Sequence, residues 1–153
     1  MTAPESGILI EVSLATQSLR VTEGDLVLFQ APVSTATNGP GFEEGSYRTP
    51  TGNFMILERI GEGAPIRTLF KGRRPLSVWQ GEECDDAILT RILWLHGLDP
   101  ENGNTFHRYI YFHGTNDEAA IGTPASDGCI RLRNRDMLQL FELAPLETPV
   151  HIS

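Results

Sequence analysis

The chain is poor in cysteine, poor in cations and free of long apolar runs. Only two cysteines, Cys84 and Cys129, occur in its 153 residues. A domain of this length buries enough apolar surface to fold without cross-links, so a disulfide framework is not what organises it. Lysine and arginine number 12 against 20 aspartates and glutamates, a formal charge of −8. Phosphate backbones and anionic lipid surfaces are held by clustered cations, so composition argues against nucleic acid and membrane as partners. No stretch reaches the roughly 18 apolar residues of a membrane-spanning helix. The opening residues, MTAPESGILIEV, lack the basic patch and apolar run of a secretory leader. A natural start at Met1 would place the protein in the cytoplasm. A chain trimmed of its leader would belong to the periplasm or cell wall. Internal repeats and low-complexity tracts are absent as well.

What is present is a globular composition, 40% hydrophobic and 21% charged, which predicts one domain over residues 1–153. Ile8, Ile10, Val12 and Leu14 alternate with Leu9, Glu11 and Ser13, the period of a strand. Residues 19–21 and 26–30 form two further short runs, with Gly24-Asp25 as a turn between them. Residues 38–52 are rich in Gly, Pro, Ser and Thr and predict a long loop of the kind that carries function. Residues 53–58 predict a strand, and residues 61–76 an irregular segment. Residues 88–95, ILTRILWL, are apolar on both faces apart from Thr90 and Arg91, as in a buried strand. A polar loop over 97–105 precedes a strand over 109–112, which delivers His113 at its end. Asn134 is placed as the N-cap of a short helix, with Asp136 at the positive end of its dipole. Met137, Leu140 and Phe141 share one face of that helix, and Pro145 and Pro149 prevent its continuation. The fold class is therefore mainly β, with one or two short helices.

The chemistry concentrates in residues 109–141, YIYFHGTNDEAAIGTPASDGCIRLRNRDMLQLF. A thiol, Cys129, and an imidazole, His113, are the parts that cysteine acyl transfer requires: one attacks a carbonyl, the other takes and returns the proton. Gly128 permits an unusual backbone conformation and a close approach by substrate. The Gly128 and Cys129 N–H groups are candidate oxyanion donors. A protonated His113 and the nearby Arg131 would favour a thiolate. Arg131 has two readings, a clamp on a substrate carboxylate or a brace paired with Asp127 or Asp136. Ser126 is read as a turn-stabilising hydroxyl. Cys84 lies in GEECDDA, where acidic neighbours oppose a thiolate, and is read as a free, incidental thiol. Trp94 and His96 are read as core or strand-end residues rather than pocket lining. His107 and His151 have no assigned partner. No two histidines have metal-ligand spacing, so no metal is predicted.

The same segment resembles the catalytic signature of the L,D-transpeptidase family (YkuD-type). His113, Gly114, Thr115 and Asn116 match its His-Gly-Thr-Asn run. Ser126, Gly128, Cys129, Ile130, Arg131, Leu132, Asn134 and Asp136 match the second half. ILIEVSLATQSLRV resembles the family's first hairpin, VSTATNGPGFEEGSYRTPTGNF its Gly/Pro-rich loop, and TPVHI its last strand. Many members carry His where this chain has Asp127. The resemblance implies a YkuD-type β-sandwich without a cofactor, acting on peptidoglycan stem peptides and open to acylation by carbapenems. It implies that Cys129 attacks the carbonyl before a terminal D-alanine. It further implies that His113 protonates the leaving amine and is held by a backbone carbonyl such as that of Gly114. Gly114, Thr115, Asn116 and Arg131 would contact substrate, and Gly128, Ser126 and Asp127 would shape the oxyanion turn. With no leader evident, the first expectation is a cytoplasmic L,D-carboxypeptidase trimming tetrapeptides during murein recycling. The alternative is a transpeptidase forming 3→3 cross-links. A non-catalytic wall-fragment binder is a third reading, opposed by the intact Cys-His pair.

Overall fold

Strand polarity follows the period-two pattern from the first strand onward. A computed structural model describes residues 7–153. In β1 (Ile8–Ser13), Ile8, Ile10 and Val12 are buried while Leu9, Glu11 and Ser13 are half-buried. β2 (Ser18–Glu23) and β3 (Leu26–Pro32) pair antiparallel beyond it, joined through the Gly24-Asp25 turn. β4 (Gly52–Ile60), β5 (Thr68–Lys71), β6 (Arg74–Val78), β7 (Ile88–Gly97), β8 (Tyr111–Gly114), β9 (Ile130–Leu132) and β10 (Pro149–Ile152) complete a mixed sheet. Its order is β3-β2-β1-β10-β4-β7-β5-β6, with β8 joined to β7 and β9 joined to β8. The fold is mainly β, as the residue pattern implied. The single α-helix among the described residues, α1, runs Asn134–Leu143.

Two apolar clusters on opposite faces explain why residues 88–95 read as apolar on both sides. Leu93 and Leu95 of β7 enter the larger core with Phe54, Phe112, Ile130 and the buried face of α1. Ile92 and Trp94, pointing the other way, join Phe70 and Tyr111 in a smaller cluster. Met137, Leu140 and Phe141 of α1 are buried against the larger core. Full burial of such side chains contributes about 1.5–3 kcal/mol each, enough to hold a ten-residue helix that would not persist alone.

Three expectations are corrected. Residues 61–76 are not irregular throughout: they contain β5 and the start of β6, closed by a two-residue turn with Lys71 opposite Arg74. Gly72 and Arg73, at φ 55° and 65°, make that turn, and the polar β6 hid its strand character because none of its residues is buried. Tyr109 does not belong to a strand; it sits in the left-handed region at φ 58°, and β8 begins two residues later and includes His113. The N-cap of α1 is Arg133, not Asn134. Asn134 turns inward instead, accepting from Thr90 Oγ1 at 2.6 Å and donating to the Thr115 carbonyl at 2.8 Å.

Candidate active site

The parallel pairing of β8 with β9 builds the site. Phe112 stands opposite Ile130, and both enter the larger core. Alternation therefore sends Tyr111 and His113 of β8, together with Cys129 and Arg131, to the other face. His113 is in register with Arg131. The Cys129 side chain packs against the smaller cluster that contains Trp94 and Tyr111. Residues 16 positions apart in sequence, His113 and Cys129, thus reach one face of two neighbouring strands.

The thiol is held by backbone. The Tyr111 N–H approaches Cys129 Sγ at 3.4 Å, and Sγ lies 3.3 Å from the Tyr109 carbonyl oxygen. Desolvation, the largest influence, pushes the Cys129 thiol up to about 12; the Tyr111 amide, Arg131 and Arg108 oppose it, and Asp86 reinforces it. His113 is buried, and desolvation lowers its imidazole below 6.5, with a partly opposing effect from its bond to Gly114. Both shifts favour the uncharged forms, a neutral thiol and a neutral imidazole. Desolvation works against the expected thiolate–imidazolium pair, most of all at His113, which is buried while Cys129 is half-buried.

His113 Nδ1 lies 2.6 Å from the Gly114 carbonyl oxygen. A carbonyl only accepts, so Nδ1 carries the proton and Nε2 is left with a lone pair. Gly114 must be small: a Cβ there would collide with Asn134 Oδ1 and stand 2.8 Å from the Leu89 oxygen.

The turn before Cys129 is braced on all sides. Ser126 Oγ donates to the Cys129 carbonyl at 2.7 Å and accepts from the Gly128 N–H at 3.1 Å. Ser126 is thus the turn-stabilising hydroxyl its residue type implied. The Gly128 N–H, by the same bond, is already engaged. The Cys129 N–H has no hydrogen-bond partner among the described residues, which leaves it as the open donor. Gly128 sits at φ 127°, and a Cβ there would meet the Arg48 oxygen at 3.2 Å. The loop over 38–52 folds onto this turn: Thr49 Oγ1 donates to the Gly128 carbonyl at 2.9 Å. Arg108 fastens the same loop through the Arg48 carbonyl at 2.6 Å and the Gly41 carbonyl at 3.2 Å.

Arg131 pairs with neither Asp127 nor Asp136. Its Nη2 lies 2.6 Å from Asp86 Oδ1, and Nη1 donates to the Ala125 carbonyl at 3.2 Å. Asp127 is exposed and forms no ion pair among the described residues. Asn116 accepts from the Ala87 N–H at 3.1 Å and donates to the Cys84 carbonyl at 2.6 Å. Thr115 Oγ1 accepts from the Asp117 N–H at 3.0 Å. Thr115 and Asn116 nevertheless line a groove with Trp79, Gln80 and Glu118. Both cysteines are free. Trp94 is a core residue, stacked on Phe106 and donating to the Phe106 carbonyl at 3.0 Å. His96 is half-buried opposite Met55, and His151 finds Asn53 Oδ1 at 3.1 Å.

Sequence reasoning missed Asp86, Tyr109 and Tyr111 as groups that act on the thiol. Asp86 was visible only as part of an acidic run. Tyr109 and Tyr111 act on Sγ through backbone atoms, which carry no residue-type signal.

Residues 7–152 match the family model of the L,D-transpeptidase catalytic domain (YkuD), and the chain belongs to that family. A putative L,D-transpeptidase YkuD of Bacillus licheniformis is 49% identical over 145 residues, covering 94% of this chain and 64% of that protein. An L,D-transpeptidase from Mycobacterium smegmatis aligns with a TM-score of 0.64 at 15% identity, over 96% of this chain and 58% of that one. LD transpeptidase LdtMt1, solved in complex with imipenem, aligns at 0.61 and 17% identity, over 96% of this chain and 59% of that one. At such identities the likeness to the solved structures is one of fold. The chain spans less than two thirds of the length of these relatives. L,D-transpeptidases are an enzyme class. No helix among the described residues is long and apolar enough to cross a membrane.

Proposed function

We propose that this domain performs cysteine-dependent acyl transfer at the L,D peptide bond of peptidoglycan stem peptides. The observation that carries the reading is the Nδ1 bond from His113 to the Gly114 carbonyl, at 2.6 Å. It reserves Nε2 as the base on the face shared with Cys129. In the first step Nε2 takes the Sγ proton as sulfur attacks the carbonyl carbon before the terminal D-alanine. The Cys129 N–H donates to the developing oxyanion. The imidazolium then returns its proton to the leaving amine, the C–N bond breaks, and a thioester remains. An acceptor resolves the thioester: its attacking atom loses a proton to His113, the C–S bond breaks, and the imidazolium returns that proton to Cys129 Sγ. Water as acceptor gives L,D-carboxypeptidase action, the removal of D-alanine from a tetrapeptide. An amine as acceptor gives a 3→3 cross-link, a second reading favoured by the name of the Bacillus relative. Because LdtMt1 was solved in complex with imipenem, carbapenem acylation of Cys129 is part of the reading.

The test is incubation with a tetrapeptide ending in diaminopimelate–D-alanine, with and without a D-amino-acid acceptor, followed by mass spectrometry. Free D-alanine and tripeptide in both conditions define a carboxypeptidase. Exchange or dimer products define a transpeptidase. Intact peptide in both conditions, with no mass gain on Cys129 from a carbapenem, would remove the acyl-transfer reading.

A further inference from the structure

The β5–β6 hairpin ends in Lys71-Gly72-Arg73-Arg74. Three of the chain's 12 cations gather there, in a protein of formal charge −8. Positive φ at both turn positions, 55° at Gly72 and 65° at Arg73, is the pattern that selects Asn, Asp or Gly. An arginine held there is strained backbone, which is a reason to look for a task. Its Cζ lies 5.1 Å from the Trp94 ring centroid and 5.2 Å from that of Tyr109. Tyr111 is its strongest polar neighbour. Tyr109 and Tyr111 are the residues whose backbone holds Cys129 Sγ. The hairpin tip is therefore laid on the aromatic residues that flank the thiol.

The two cations that act on Cys129, Arg131 and Arg108, are engaged. Arg131 is paired with Asp86, and Arg108 is bonded to loop carbonyls. Arg73 is exposed and has no ion-pair partner among the described residues. Glu58 acts on it only through the longer-range field. Its aromatic contacts limit the rotamers of the stem and leave guanidinium donors open to a ligand.

We infer that Arg73 is a specificity-determining residue whose guanidinium recognises a carboxylate of the donor peptide while the scissile carbonyl sits at Cys129. The inference rests on the acyl-transfer reading above. A guanidinium fork matches a carboxylate in two parallel hydrogen bonds. Solvent screening at an exposed position keeps the effect modest, about tenfold in affinity. A diaminopimelate–D-alanine terminus offers two such groups, the side-chain carboxylate and the terminal one.

The experiment compares the free tetrapeptide with two analogues, one amidated at the diaminopimelate side-chain carboxyl and one at the terminus. kcat/KM is measured with the native chain, Arg73→Ala and Arg73→Lys. Calorimetric binding to Cys129→Ala, with and without Arg73→Ala, gives the same comparison without turnover. The expected result is that one amidated analogue is about tenfold weaker on the native chain, that Arg73→Ala removes the difference, and that Arg73→Lys keeps part of it. Which analogue is weaker identifies the carboxylate. Discrimination that persists in Arg73→Ala, or is absent from the native chain, overturns the inference. Binding without turnover would overturn the acyl-transfer reading alone, because the binding comparison still decides the carboxylate contact.

Discussion

Arg131 Nη2 and Asp86 Oδ1, 2.6 Å apart, tie β9 to the acidic segment that precedes β7. The arginine side chain is 9% exposed and the aspartate 42%. The buried charge therefore depends on a partner that still touches water. Both groups also act on the imidazole of His113, Asp86 raising its pKa and Arg131 lowering it.

Asp86→Ala should destabilise the protein by about 1–2 kcal/mol. Loss of a partner from a fully buried pair costs more, but the exposure of Asp86 discounts the effect. Urea denaturation of the variant reads it. The variant should also move the acid limb of the pH–rate profile to lower pH, since removing Asp86 lowers the His113 pKa further and keeps the base neutral in more acid solution. An acid limb that rises would contradict the assigned field.

Thermal stability should show a plateau between about pH 6.5 and 9. Burial lowers His113 from 6.5, so the unfolded chain binds more protons below that value, and stability is lost as pH falls. Burial raises Cys129 from 9.0 to about 12, so the folded chain keeps its proton longer, and stability is lost as pH rises above 9. Melting curves of the native chain and Cys129→Ala separate the two limbs. The alkaline decline should be reduced in the variant.

Alkylation of Cys129 by iodoacetamide should be slow at pH 7 and should still be rising at pH 10, because desolvation pushes the thiol up to about 12. A rate already constant from pH 6 would indicate a thiolate–imidazolium pair instead. Mass spectrometry distinguishes Cys129 from the other free thiol, Cys84.

Asn134→Ala should cost about 2–3 kcal/mol. Asn134 is 1% exposed, and its side chain joins Thr90 of β7, the Thr115 carbonyl just after β8, and Glu118. Removing it leaves the Thr115 carbonyl and the Thr90 hydroxyl without a partner they now have. Thr90 itself is held at φ 78°, an unfavourable conformation for a β-branched residue. The loss should appear in a lowered denaturation midpoint and a reduced kcat/KM.

Gly128→Ala should impair acyl transfer more than Ser126→Ala. A Cβ at Gly128 meets the Arg48 oxygen at 3.2 Å and Ile110 Cδ1 at 3.4 Å in a backbone conformation of φ 127°. The strain is about 1–3 kcal/mol at the residue preceding the thiol. Ser126→Ala removes two turn hydrogen bonds and leaves the backbone conformation allowed. Initial rates on the tetrapeptide rank the two variants.

The sequence by itself determined the alternation of β1, the doubly apolar β7, the buried face of α1 and the signature around His113 and Cys129. These are local: strand and helix periods record which faces meet a core, and the signature lies within one stretch of chain. Tertiary structure alone decided the rest. β6 carries no buried residue, so no periodicity could mark it. The partner of Arg131 is 45 positions away, and sequence proximity pointed to Asp127 and Asp136 instead. The shifts of Cys129 and His113 toward their neutral forms come from desolvation, which depends on what packs around both groups rather than on their identity. The engaged Gly128 N–H is a backbone fact set by the Ser126 hydroxyl. Periodicity reports burial, but only assembled packing brings distant charges and backbone donors to the same sulfur atom.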